Sequence, residues 1–163
     1  MRFLVVLVLG VLLVATAGCG KKTESQAPAG TGMARPIQPV TLDFEKVEEV
    51  APTGDFSVAV HKDVQPVLAA VFGGAKLSAF FEMPMGPGGN GSHFTYALKR
   101  QAKANDLSAV KQKLEAEDYK FIAETPRNGI ETFCFEKKLG EKTYAVTLGL
   151  TPGDQRVSVV VFE

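Results

Sequence analysis

The chain has 163 residues with 18 basic and 18 acidic side chains, two cysteines and two histidines. That length is one domain's worth of core, and balanced charge gives no field to draw in nucleic acid. Removing Arg2 with an N-terminal signal shifts the formal balance only to −1.

Arg2 is the only charge before Lys21, and an unbroken apolar run from Phe3 to Val14 separates them. Ala15-Thr16-Ala17-Gly18 follows with small residues, then Cys19. A positive start, a short apolar core and small residues before a cleavage point are the three parts of a secretory signal. The run falls short of the roughly 20 residues that a spanning helix needs. Small residues immediately before a cysteine resemble the lipobox of bacterial lipoproteins, with Thr16 where that class most often has Leu. The resemblance covers the signal and Ala15–Cys19 alone. It implies cleavage before Cys19, a diacylglyceryl group on its thiol and acylation of the new amino group. Two or three acyl chains anchor stably where one is marginal. Gly20, where inner-membrane lipoproteins carry Asp, implies the periplasmic face of the outer membrane if the host has two membranes. The expected organisation is a signal over 1–18, a lipidated cysteine with a flexible tether over 19–39, and one domain over 40–163.

The tether, rich in Lys, Thr, Ser, Ala, Pro and Gly, has almost nothing to bury. From Val40 the pattern changes. Val40, Leu42 and Phe44 alternate with polar residues and predict a strand; Phe56, Val58 and Val60 predict another, after a turn at Pro52-Thr53-Gly54. Val64, Val67, Leu68, Val71 and Phe72 share one helical stripe, with Asp63 as cap, Pro66 in the first turn and Gly73-Gly74 as the stop. Leu77, Ala79, Phe81 and Met83 then alternate, with Phe80 on the second face. Phe94, Tyr96 and Leu98 mark the next strand. Leu107, Val110 and Leu114 mark a second helix capped by Asn105 or Asp106. Tyr119–Ala123, Thr132–Lys137, Tyr144–Leu150 and Val157–Val161 read as four strands, with hairpin-type links between the last three.

The expected fold class is α+β: an antiparallel sheet with two short helices packed on one face. Pro84 with Asn90-Gly91 echoes Pro126 with Asn128-Gly129, each after a capped helix. The echo fits a duplicated αββ unit, and turn chemistry alone also accounts for it.

Candidate chemistry is sparse. Cys134, between Phe133 and Phe135, has no histidine beside it in sequence and reads as a small apolar residue under the sheet. A metal site on His61 and His93 would need at least one carboxylate or sulfur partner, and their sequence places leave open whether they are adjacent or distant; the expected reading is solvent-facing or hydrogen-bonded histidine. Met83-Pro84-Met85 with His93 has the softness that suits Cu(I), but Met83 fits a buried strand face. The Gly86–Gly91 loop lacks the Lys-Ser/Thr ending of a phosphate loop and leads into a strand. No hydrolase elbow, zinc-protease or calcium motif is present. The expectation is therefore no catalytic residues, no metal, no cofactor, and Cys19 as the one modified residue. The partners expected are the membrane, through acyl chains on Cys19, and another envelope protein. The rival expectation is a carrier or sensor of a small apolar or lipid ligand, lined by Phe80, Phe81, Phe94, Tyr96, Phe133 and Phe135. The last strand, Val157–Phe162, is open to being an exposed edge.

Overall fold

The structure is a computed structural model and describes residues 39–85, 89–126 and 129–162. The signal segment, Cys19 and nearly all of the tether lie outside the described residues, as do 86–88 of the glycine loop, Arg127, Asn128 and Glu163.

Helix α1 (Asp55–Phe72) and helix α2 (Asp106–Ala116) accompany six strands. These are β1 (Ala75–Met85), β2 (Gly89–Leu98), β3 (Lys120–Glu124), β4 (Glu131–Leu139), β5 (Lys142–Leu150) and β6 (Arg156–Phe162). They form one antiparallel sheet in the order β1-β2-β6-β5-β4-β3. The α+β class is as expected, and the order helix–strand–strand occurs twice. α1–β1–β2 and α2–β3–β4 take opposite ends of the sheet, with β5 and β6 between them.

Both helices lie on the same side. Val60, Val64, Leu68 and Phe72 of α1 and Leu107, Val110 and Leu114 of α2 join one core. The sheet contributes Leu77, Phe94, Tyr96, Phe135, Val146, Leu148, Val157 and Val159. Each strand sends alternate residues into this layer, which is why Tyr144, Val146, Leu148 and Leu150 are all buried while Thr143 and Ala145 are exposed.

Three local expectations are corrected. Asp55–Val60 is not a strand but the first part of α1, which makes that helix 18 residues long. Val58 and Val60 favour a strand locally, yet Ser57, Val60, Val64, Val67 and Leu68 fall on one helical stripe, and burying that stripe outweighs the propensity. Pro66 is consequently inside the helix and not in its first turn. It is exposed, so water can serve the carbonyl its ring leaves unbonded. Asp63 is likewise interior. The N-cap is Gly54, at φ +78° and without a side chain to offer.

The Val40–Phe44 segment forms no strand either, and Phe44–Lys46 is a single 3-10 turn. Its hydrogen bonds go elsewhere. The Leu42 N–H donates to Gln155 Oε1 at 2.8 Å, and the Gln155 N–H donates to the Val40 carbonyl at 3.1 Å. Farther on, the Lys76 ammonium donates to the carbonyls of Phe44 at 3.1 Å and Val47 at 3.2 Å, and the Val50 N–H donates to the Leu77 carbonyl at 2.9 Å. This strap covers the first residues of the β1 edge.

The third correction concerns which way β1 faces. The register with β2 shifts between Leu77 and Ala79. A bulge adds one residue and exchanges the faces of everything after it. Leu77 is buried, but beyond the bulge Phe80 packs on the core, while Ala79 and Phe81 look outward. Phe81 is left 49% exposed.

Candidate interaction surface

The helix-free side of the sheet carries the features that a partner would meet. Cross-strand register builds it in rows. Cys134 pairs with Thr147, Thr147 with Val160, Val160 with His93, and His93 with Phe81. One row therefore crosses five strands. The next contains Thr132, Gly149, Ser158, Thr95 and Ala79. Neither row holds a charged side chain at neutral pH. A groove of about 420 Å³ runs among Thr95, Thr132, Thr147, Ser158 and Val160, with Ile130 and the Arg156–Asp154 pair at its margin.

His93 sits at the edge of this groove. Its Nε2 lies 2.6 Å from Ser158 Oγ, and Phe81 meets its ring edge-on at 4.6 Å between centroids. The Nδ1 atom is buried without a partner among the described residues. A buried orphan donor is rarer than an orphan acceptor, so the proton belongs on Nε2, donated to Ser158. Burial lowers the pKa of the ring, which keeps it neutral. With Nε2 donating and no carboxylate on Nδ1, the pair lacks the arrangement of a serine nucleophile and its base.

His61 stands on the other side of the sheet. Its Nδ1 lies 3.1 Å from the Tyr96 hydroxyl, and the two rings stack. Burial lowers its pKa, opposed by the charge of Glu49. The two histidines are thus separated by the strand layer. Cys134 is not under the sheet. It is half-buried on the helix-free face, accepting a hydrogen bond from Thr147 Oγ1 at 3.7 Å. Three strand spacings, about 14 Å, separate it from His93. Met83 lies on β1 near His93, but the side chain of Met85 lies outside the described residues.

Of the six aromatics expected to line a pocket, Phe94, Tyr96, Phe133 and Phe135 are buried in the core. There they pack on one another and on neighbours: Phe94 with Tyr96, Phe133 and Phe135 with Phe121, and Phe135 with Tyr119. Phe80 packs against Phe94, and Phe81 lies on the opposite face. A recess of about 480 Å³ opens instead at the start of α1, between Thr53, Phe56, Glu82 and Tyr144, and none of the six lines it.

The sequence reading missed Ser158, Thr147 and Thr95. Their signal was present: each occupies the phase opposite an apolar stripe on its own strand. β6, considered as an exposed edge, lies inside the sheet between β2 and β5. No described helix is long and apolar enough to cross a membrane. No family model, curated protein or solved structure matches the chain.

Proposed function

We propose that this chain is an exported lipoprotein, held to a membrane by acyl chains on Cys19, whose domain acts without catalysis by docking to another envelope protein through its helix-free sheet face. The lipid anchor rests on the signal pattern and on the position of Cys19. The docking role rests chiefly on one observation. Two cross-strand rows of small, hydroxyl and apolar residues, free of charge, lie uncovered on a sheet whose other side packs against both helices. Uncharged centres with polar margins are the usual anatomy of contact patches.

Two measurements test the reading. Metabolic labelling with an alkyne fatty acid is expected to tag the wild-type chain and to fail for Cys19→Ser. A photo-crosslinking residue at Thr147 or Ser158 is expected to capture one discrete partner in cells, and the same probe at exposed Gln112 of α2 to capture none. Equal capture from both faces would refute the assigned surface.

A further inference from the structure

The two edges of the sheet are unequally defended. β3 is five residues long, carries a register irregularity between Phe121 and Ala123, and presents Lys120. Short length, a bulge and a lysine are the usual means of blocking strand addition. β1 is 11 residues long, and its own irregularity, between Leu77 and Ala79, leaves a regular stretch beyond it. Its outer side is covered only up to Leu77, whose carbonyl accepts the Val50 N–H. From Ala79 to Met83, no backbone partner occupies the outer side among the described residues. That stretch has no lysine and no proline until Pro84 ends it. Its alternate N–H and C=O groups face outward, unpaired, in extended geometry.

The surroundings differ on the two faces of that edge. On the helix-free face it shows Phe81, exposed beside His93. On the helix side it shows Glu82, which accepts a hydrogen bond from Thr53, with Asp55 bordering the same recess. Glu49 lies farther along, beside the covered part of the edge, where Gln65 bonds both it and the Ala75 carbonyl. No salt bridge among the described residues neutralises Glu49, Asp55 or Glu82. A strand laid against Ala79–Met83 would therefore meet an apolar surface with one set of alternate side chains and a negative one with the other.

We propose that the outer side of Ala79–Met83 accepts an added β-strand from a partner protein, an extended segment in which apolar residues alternate with lysine or arginine. Backbone pairing supplies the attachment, and the Phe81 and Glu82 faces select the sequence. This deepens the docking reading above and rests on it, since the edge borders the same face.

The test uses the full lipidated chain in detergent, with a seven-residue peptide alternating valine and lysine as probe. Hydrogen–deuterium exchange is the readout. The peptide is expected to slow exchange at Ala79–Met83 by about tenfold at saturation, leaving the β3 edge unchanged. A version N-methylated at alternate residues is expected not to bind, because it cannot complete the ladder. Glu82→Lys, a surface change, is expected to weaken the valine–lysine peptide roughly fivefold and to favour a valine–glutamate peptide. Unchanged exchange at Ala79–Met83, or equal binding of the N-methylated peptide, overturns the proposal. So does concentration-dependent protection of this stretch without peptide, which would give the edge to a second copy. Crosslinks from Thr147 or Ser158 with no peptide effect at the edge would retain the docking reading and discard this one. Silence in both experiments would discard both.

Discussion

The hydroxyls of Ser57 and Ser92 meet at 2.8 Å inside the molecule, joining the first turn of α1 to β2. Both residues are buried. Removing one partner strands the other without water, whereas removing both removes the need. Ser57→Ala is expected to cost about 1–3 kcal/mol, and Ser57→Ala with Ser92→Ala to recover most of it. Urea unfolding of the four chains of this double-mutant cycle measures the coupling. Purely additive losses would show that the bond contributes nothing specific.

Arg100 holds Asp106 with a two-pronged grip, at 2.7 Å to one carboxylate oxygen and 2.9 Å to the other. Asp106 also accepts the Lys103 N–H. The Arg100 bonds, with lesser help from Lys103, outweigh burial and hold the carboxyl pKa below the usual aspartate value. A depressed folded-state pKa gives stability that is complete above the unfolded value and is lost as pH falls through the folded one. Asp106→Asn is therefore expected to cost about 1 kcal/mol at pH 7, discounted because the arginine is partly exposed, and progressively less below about pH 4. Thermal melts of both proteins from pH 7 to pH 2 check the convergence.

His93 works in the opposite sense. Burial disfavours its charged form, so the folded chain binds a proton less readily than the unfolded one. Its contribution is full above the ordinary histidine pKa of about 6.5 and declines as pH falls from there towards the folded value. The ring is expected to titrate below 6.5 by NMR, and Ser158→Ala to alter that midpoint, since Ser158 accepts its one bond. A His93 midpoint at or above 6.5 would contradict the neutral, Nε2-protonated ring.

Lys76 fastens the strap ahead of α1. Its ammonium reaches the Phe44 and Val47 carbonyls and lies 4.9 Å from the centre of the Phe44 ring. Lys76→Met keeps the aliphatic stem and removes the fastening. The Val50 amide is expected to exchange several-fold faster in this variant while core amides of β6 keep their rates, a local opening and not a global one. Uniform acceleration would place the lysine's role in overall stability instead.

Asp63, in the middle of α1, ties the helix to the residue just before β3 and to the last part of β4. Lys137 Nζ lies 3.2 Å from its carboxylate, and the Tyr119 hydroxyl donates to it at 3.3 Å. Only 14% of the Lys137 side chain is exposed. Asp63→Ala leaves that ammonium shielded without its counter-charge and is expected to cost about 2–3 kcal/mol, more than Lys137→Met, which removes the charge itself. Denaturant midpoints of the two variants decide the order.

The fold class, the place of all six strands and the buried stripe of α2 were legible because each follows a clear period. Tyr144–Leu150 and Val157–Val161 alternate without interruption, and Leu107, Val110 and Leu114 have no competing pattern. Asp55–Val60 was not legible: its alternation and the stripe it extends share Phe56 and Val60, and only the packing of the whole helix separates them. The outward turn of Phe81 was hidden for another reason. A bulge is one residue of register, set by the β2 partner and not by any local composition. Asp63 as a cap was plausible chemistry at the wrong address. Of the interaction surface, the histidines and Cys134 were visible as residues, but their separation across strands and faces depends on the order β1-β2-β6-β5-β4-β3, which no short segment encodes.

That order also constrains when the molecule can form. β6 is the last of the six strands in chain order yet sits in the middle, pairing Val159 with Phe94 on one side and with Leu148 on the other. Until Arg156–Phe162 pairs, no strand joins the β1–β2 hairpin to the β3–β4–β5 meander, and the core lacks Val157, Val159 and Val161. Closing a pairing this distant in sequence is slow compared with local helix formation. The sheet therefore closes late: the seven residues of β6 act as its keystone, and the two halves of the sheet become one only when they dock.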